Sequence, residues 1–298
     1  MISIIIASVN DEQLQRVKRN IDQTIGIPYE VISFQNGEGR EGLCTLYNRG
    51  IAKSRYDFIC FMHEDVEIVT KGWGNVVLHA FHGNPRLGLL GVAGNTFKSS
   101  VAGRTEGLYG EPLVNIVQHY KYENRQSEHI CTSNKNNTGL RSAVCVDGVW
   151  FCTPRHVAVK YRFDERLTGF HGYDLDFSLS VCRDFEVMVT FDILLHHFSE
   201  GNFSRDWLNA MMYIHKKRKD QLPVYIDLPK EIPLMIGEKR IFRYLIKKYR
   251  DELNLTLTEA WTILDNSCIR RLSWYVYMKL FFYTWKLYGF KLGYGRES

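Results

Sequence analysis

The chain has 298 residues, 45% apolar and 24% charged, proportions of a soluble globular protein with one large domain and room for an appendage. A net charge of +5 is too small to imply nucleic acid. Seven cysteines, odd in number and without a Cys-x-x-Cys pair, speak against a disulfide framework and structural zinc; a reducing cytosol and a cytoplasmic location fit best. Met1 to Val9 is too short for a secretion signal, and no run of about 18 uncharged apolar residues predicts a spanning helix.

Ile2 to Val9 reads as a buried strand. Asn10 is a candidate helix N-cap, and Leu14, Val17 and Ile21 mark one helical face. A second strand, Tyr29 to Phe34, is followed by a helix marked by Leu43, Leu46, Tyr47 and Ile51. Between them Gly37, Gly39 and Gly42 spell Gly-x-Gly-x-x-Gly, the outline of a dinucleotide fingerprint. It follows the second strand rather than the first, and its loop carries acids. Phe58 to His63 is a continuous apolar strand of the kind buried on both faces. It ends in Glu64, Asp65 and Glu67, at the carboxyl edge where open α/β sheets bind ligands. These acids suit a hard divalent cation carrying a diphosphate, or they are solvated loop residues.

Leu87 to Ala93 is a further strand. The segments 95–110 and 123–140 read as loops able to carry substrate contacts. Ala143 to Cys152 is a strand containing Asp147-Gly148, and Tyr173 to Cys182 a short helix with Asp174 and Asp176 in its first turn. Glu186 to His197 alternates as a strand and ends in His196-His197. Pro223, Pro229 and Pro233 form a linker, and 239–254 and 257–288 read as helices. The expected organisation is a catalytic domain over 1–222 and a linker with helices over 223–298. Strand and helix alternate at α/β spacing, so a parallel sheet with right-handed crossovers is expected.

Asp65 with its neighbours, Asp174, and His196-His197 therefore stand at strand ends or a helix start, where distant residues converge on one face. In order and spacing, the chain resembles the family 2-like GT-A glycosyltransferases of bacteria, particularly those of capsule and surface polysaccharide biosynthesis. The resemblance covers roughly residues 1–223. It is carried by Ile2 to Asn10, Tyr47-Asn48-Arg49-Gly50, Phe61 to Val66, Val146 to Val149, Phe163-Asp164-Glu165, Gly172 to Asp176, His196-His197 and Trp207.

The resemblance implies a GT-A fold: Rossmann-like, with a mostly parallel central sheet flanked by helices, here with a helical C-terminal extension. It implies an inverting hexosyltransferase that moves a sugar from a UDP-, GDP- or dTDP-sugar to a hydroxyl of a glycan or lipid-linked acceptor. Asp174 matches the catalytic base. Asp65 matches the main ligand of a divalent metal (Mn²⁺ or Mg²⁺), with Glu67, His196 and His197 as further ligands. Ala7, Ser8, Asn10, Asn36, Asn48 and Glu64 match nucleotide-sugar contacts, and Asp147, Gly148 and Tyr173 match positions near the acceptor. The usual Pro at the end of the first strand is replaced by Ala7-Ser8, and Asn36 stands where an aspartate is common. Two other classes remain open: an oxidoreductase using a nucleotide cofactor of the NAD type on the glycine loop, and a nucleotide- or sugar-binding module without turnover. The C-terminal aromatics with Arg270, Arg271, Lys279 and Lys286 suit either a helix packed on the protein or peripheral contact with the inner face of the cytoplasmic membrane.

Overall fold

A computed structural model of the chain describes residues 1–103, 110–121, 124–132, 139–201, 203–228 and 232–289. Parts of the two expected loops, 95–110 and 123–140, and Pro229 of the expected linker lie outside those residues. In chain order the elements are β1 (Ile2–Ser8), α1 (Asp11–Thr24), β2 (Tyr29–Gln35), α2 (Leu43–Lys53), β3 (Phe58–Met62), β4 (Val66–Ile68), α3 (Trp73–Gly83), β5 (Leu87–Gly91), β6 (Ala93–Asn95), β7 (Phe97–Lys98), β8 (Pro112–Gln118) and β9 (Glu128–Cys131). They continue with β10 (Leu140–Ala143), β11 (Cys145–Val146), β12 (Trp150–Pro154), α4 (Arg155–Tyr161), α5 (Tyr173–Val181), β13 (Glu186–Thr190), β14 (Leu195–His197), α6 (Arg205–Lys217), β15 (Val224–Tyr225), α7 (Leu234–Leu253), α8 (Leu257–Asn266), α9 (Ile269–Leu272) and α10 (Trp274–Gly289).

The chain forms two compact units. One comprises residues 1–96 and 111–202, the other 97–110 and 203–298. The first is built on a seven-stranded sheet in the order β10-β13-β5-β12-β3-β1-β2. β2, β1 and β3 are mutually parallel, as are β5 and β13, while β12 runs antiparallel between β3 and β5 and β10 antiparallel to β13. Five of its seven strands, β1, β2, β3, β5 and β13, thus run in one direction and only β12 and β10 oppose them, so the sheet is mostly parallel, as expected. A second sheet, β11-β6-β8-β14-β4 with β9 paired to β8, carries Glu67 on β4 and His196 and His197 on β14. The long strands expected over 143–152 and 186–197 are each split between these two sheets.

One face of the main sheet buries Ile2, Ile4 and Ile6 against Leu14, Val17 and Ile21 of α1 and Trp73 and Val77 of α3, each large side chain contributing about 1.5–3 kcal/mol. Trp73 meets Trp150 edge to face at 5.8 Å. The other face carries an aromatic cluster: Tyr47, Phe61, Phe151, Phe163 and Phe177. α2 lies close on β1, since a Cβ at Gly50 would come within 2.7 Å of the Ile5 side chain.

In the second unit, β7 pairs with β15, and its other elements among the described residues are the helices α6 to α10. The single helix expected over 257–288 is three helices. Thr256 and Glu259 form a reciprocal capping box that starts α8, and Ser267 and Ser273 take extended conformations that end α8 and α9. The segment 97–103 is held by buried polar groups. Glu238 of α7 accepts from the Ser100 amide at 3.2 Å and from the Ser100 hydroxyl. Lys98, itself buried, donates to the Gly103 carbonyl, and Tyr249 donates to Ala102 O at 3.1 Å. Burial raises the Glu238 pKa, opposed by the Ser100 and Ser99 hydroxyls and the Lys98 charge. Burial and the Lys98 charge hold His215 well below the usual imidazole range.

Candidate active site

β3 ends at Met62, and the next three residues, His63, Glu64 and Asp65, leave its carboxyl end in different directions. The Glu64 carboxylate turns inward to close the end of β1. It accepts from Val9 N at 3.0 Å, Asn10 N at 3.2 Å and the Ser8 hydroxyl. Asp65 turns toward two imidazoles, His63 and His197. β4 follows at once and pairs antiparallel with β14, with His197 opposite Val66 and His196 opposite Glu67. Alternation along β14 sends the two histidines to opposite faces.

His197 and Asp65 therefore share a face, joined by His63, which the sequence reading did not assign to the metal. One ligand atom from each of the three lies within 4.8 Å of those from the other two. His63 Nδ1 is 3.8 Å and His197 Nε2 3.9 Å from Asp65 Oδ1. Each is aimed by a partner behind it. Ser199 donates to Asp65 Oδ2 at 2.6 Å, which leaves Oδ1 facing the imidazoles. The Gln118 amide donates to the carbonyls of His119 and Ser199, so its Oε1, 3.1 Å from His197 Nδ1, accepts the imidazole proton. That tautomer leaves His197 Nε2 with a free lone pair, and this buried nitrogen has no hydrogen-bond partner among the described residues. The Tyr173 hydroxyl donates to Gly148 O at 3.2 Å and meets His63 Nε2 at 2.9 Å, which turns His63 Nδ1 toward Asp65. Burial, then the neighbouring His63, holds the His197 pKa below its ordinary value, the neutral form a metal requires. An orphaned buried nitrogen beside a carboxylate, with a supporting contact behind every ligand, fits a divalent cation.

Glu67 and His196 are not brought to this cluster. Glu67 is exposed, and His196 Nδ1 sits 2.8 Å from His119 Nε2, with His119 stacked on Phe198.

Asp174 occupies the first turn of α5. Its Oδ2 accepts from Gly148 N at 2.9 Å and its Oδ1 from Leu175 N at 2.8 Å. Burial and then the charge of Asp147 push its pKa up to about 6, against those two hydrogen bonds and the His63 charge. His63 thus lies near both carboxylates, 3.8 Å from Asp65 Oδ1 and close enough for its charge to act on Asp174. Asp147 is exposed at the turn, and its Oδ1 accepts from Val149 N at 3.0 Å. Gly148 is compulsory there, because a Cβ would lie 2.0 Å from the Tyr173 hydroxyl. Burial, then the nearby Tyr47, raises the Tyr173 pKa well above its usual value, so it stays protonated. Tyr173 is buried and holds His63.

The expected nucleotide contacts fall at the ends of β1 and β2, but several have their polar groups committed. Asn36 exchanges hydrogen bonds with Glu41 N and O at 3.0 and 2.7 Å. Asn48 bonds Phe163 N and O and the Glu165 carboxylate, fixing that loop. Asn10 caps α1 through Gln13 N. Ala7 is half-buried and Ser8 buried beside Glu64. The glycine loop has a packing explanation. A Cβ at Gly42 would meet Thr168 O at 2.4 Å, and the first amide of α2, Leu43 N, donates to Gly169 O at 3.2 Å. That helix start is covered by chain rather than open to a pyrophosphate.

A parallel strand running into a carboxylate beside two imidazoles, with Asp174 near by, defines a class: α/β proteins with a candidate divalent-cation site at the carboxyl end of a strand. The chain belongs to the Glycosyltransferase like family, whose model matches residues 3–219, and it has α/β sheets with a helical C-terminal region. No curated protein matches the chain. Among solved structures it is similar to GalNAc-T7 crystallised with UDP, GalNAc and Mn²⁺ (13% identity, TM-score 0.48, 85% of this chain and 57% of that one). It is also similar to residues 1–349 of S. aureus TarS (11%, 0.45, 89% and 80%) and to A197 from STIV (13%, 0.39, 67% and 86%). The chain thus spans little more than half the length of the GalNAc-T7 chain. Among the described residues no helix is long and apolar enough to cross a membrane.

Proposed function

We propose that this glycosyltransferase moves a sugar from a nucleotide-sugar donor to a hydroxyl of a glycan or lipid-linked acceptor, with inversion at the anomeric carbon. The observation that carries the reading is His63: one ring nitrogen faces Asp65 and the other the Tyr173 hydroxyl, beside Asp174. His63, Asp65 and His197 would hold a divalent cation, which supplies Lewis-acid neutralisation of the departing diphosphate. With two imidazoles in the set, Mn²⁺ suits it better than Mg²⁺, which prefers an all-oxygen shell. Asp174 is the general base. It takes the acceptor hydroxyl proton on a carboxylate oxygen while the amides of Gly148 and Leu175 hold the group in place. Tyr173 orients His63, and the Asp147-Gly148 turn forms the acceptor side.

The test is thermal-shift screening of UDP, GDP and dTDP, each with and without Mn²⁺ or Mg²⁺, followed by donor turnover. Asp174→Asn should lower kcat about 10²–10⁴-fold and leave nucleoside diphosphate binding intact. Equal activity in that variant removes Asp174 as the base. Nucleotide binding without transfer across a broad donor and acceptor panel would leave a binding module.

A further inference from the structure

α10 faces two ways. Its inner side is packed within the helical unit: Val276, Tyr277, Leu280 and Thr284 are buried. Phe281 stacks on Trp261 of α8 at 4.6 Å, and Tyr283 lies under the Arg243 guanidinium of α7 at 4.7 Å. The outer side is unusual for a helix in water. Trp274, Tyr275, Phe282 and Trp285 are 55%, 66%, 55% and 58% exposed. At about 100° per residue these four fall on one arc with Met278, and Lys279 and Lys286 border it on one side. Four large aromatics on one exposed stripe form an interaction face, not scattered surface residues.

The charge around the stripe identifies what covers it. From Asn266 to Arg296 the sequence has no Asp or Glu, while it has Arg270, Arg271, Lys279, Lys286, Lys291 and Arg296. Arg270 lies over the Trp274 ring at 5.0 Å and Lys279 over Tyr275 at 4.2 Å, so cations and aromatics form one surface. Arg271 donates to the carbonyls of Lys219 and Leu222 at 3.1 Å, which brings the run Lys216-Lys217-Arg218-Lys219 beside the start of α10. A second copy of this chain docking face to face would set these cations against each other. An anionic bilayer complements both features: Trp and Tyr settle at the headgroup level, and Lys and Arg meet the anionic surface.

We infer that the outer face of α10, through Trp274, Tyr275, Phe282 and Trp285 with Lys279 and Lys286, seats the protein on an anionic lipid bilayer, lying in the interface without crossing it. The test uses the full chain, without donor, acceptor or metal, so its outcome is independent of the transferase reading. Co-sedimentation is measured with vesicles of phosphatidylcholine alone and of phosphatidylcholine mixed with phosphatidylglycerol. The protein should pellet with the anionic vesicles, release as salt rises, and show a blue-shifted tryptophan emission. Lys279→Glu with Lys286→Glu should weaken binding by at least about thirtyfold, at roughly tenfold per 1.4 kcal/mol and about 1 kcal/mol per basic residue. Phe282→Ser with Trp285→Ser should abolish the emission shift. All four positions are exposed, and circular dichroism confirms that each variant is folded. Vesicle binding indifferent to lipid charge, or unchanged in both double variants, overturns the inference. So does a wild type that stays in the supernatant and sediments as a dimer dissociated by the Phe282/Trp285 variant, which would make the face a chain–chain contact.

Discussion

Gly148→Ala is the sharpest single perturbation of the cleft. The added methyl would lie 2.0 Å from the Tyr173 hydroxyl, 2.6 Å from Cζ and 3.2 Å from Cε2. The ring cannot swing clear, because it is buried between Tyr47 and Phe163 at centroid distances of 5.4 and 6.2 Å. Either the ring or the Asp147-Gly148 turn must shift. Forcing a methyl into packed space costs about 1–3 kcal/mol. Losing the hydroxyl's contacts to Gly148 O and His63 adds about 1 kcal/mol, so unfolding free energy should drop by roughly 2–4 kcal/mol. His63 also loses the partner that aims Nδ1 at Asp65, and Mn²⁺ affinity should fall about 10–100-fold. Chemical denaturation reads the first effect and isothermal titration with Mn²⁺ the second. Tyr173→Phe separates them: it keeps the ring packing, should cost only about 1 kcal/mol, and should weaken Mn²⁺ by a similar factor. A Gly148→Ala protein with wild-type stability and wild-type Mn²⁺ affinity would refute the proposed chain from turn to tyrosine to imidazole.

Further outcomes follow from the same geometry. A base must be ionised to accept a proton, so the acidic limb of kcat should lie near the Asp174 pKa of about 6 and activity should fall as pH drops through it. Asp147→Asn removes a like charge and should move that limb to lower pH in a pH–rate profile; an unmoved limb would rule out the coupling. His197→Ala should weaken Mn²⁺ binding at least tenfold, while Glu67→Gln and His196→Ala should leave it unchanged, as read by titration calorimetry. His215 is buried and neutral, with its pKa depressed in the folded state. The unfolded chain therefore takes up the extra proton as pH falls below about 6.5, and stability should drop there by up to about 1.4 kcal/mol per pH unit. In His215→Leu that contribution should be lost, making the fall in denaturant midpoint from pH 7 to pH 5 smaller than in the wild type.

The elements that position the cleft were legible because their signals are strong. Phe58 to Met62 is an unbroken apolar run that stops at charge, and Asn10 followed by Leu14, Val17 and Ile21 has the cap and period of a helix. α3 is equally readable from Trp73, Val77, Ala80 and Phe81, which share one face. The second sheet was not readable, since strands of two or three residues such as β4, β11 and β14 are too short to show a period of two. That loss hid which side chains meet. Without the β4–β14 register, Glu67 and His196 looked as eligible as Asp65 and His197. His63 did carry a signal: it stands two residues before Asp65 at a strand end. Gln118 and Ser199 carried none, because only tertiary structure brings them behind His197 and Asp65. Asn36 and Asn48 matched by position, yet their amides are committed to loop closure.

The segment 97–103 leaves the first unit's sequence and belongs to the second, where Ser100 is bonded to Glu238 and to the Cys268 amide. These partners lie 138 and 168 residues further along. A ribosome delivers the chain from its beginning, so Lys98 and Ser100 emerge long before the groups that neutralise and satisfy them. The helical unit cannot finish folding co-translationally from its own contiguous stretch. Nor can one cut at residue 222 yield two self-sufficient pieces, since the amino-terminal fragment would carry a lysine and two serines made to be buried elsewhere. Swapping either half between related enzymes would need two splice points in the amino-terminal half as well as one near residue 203.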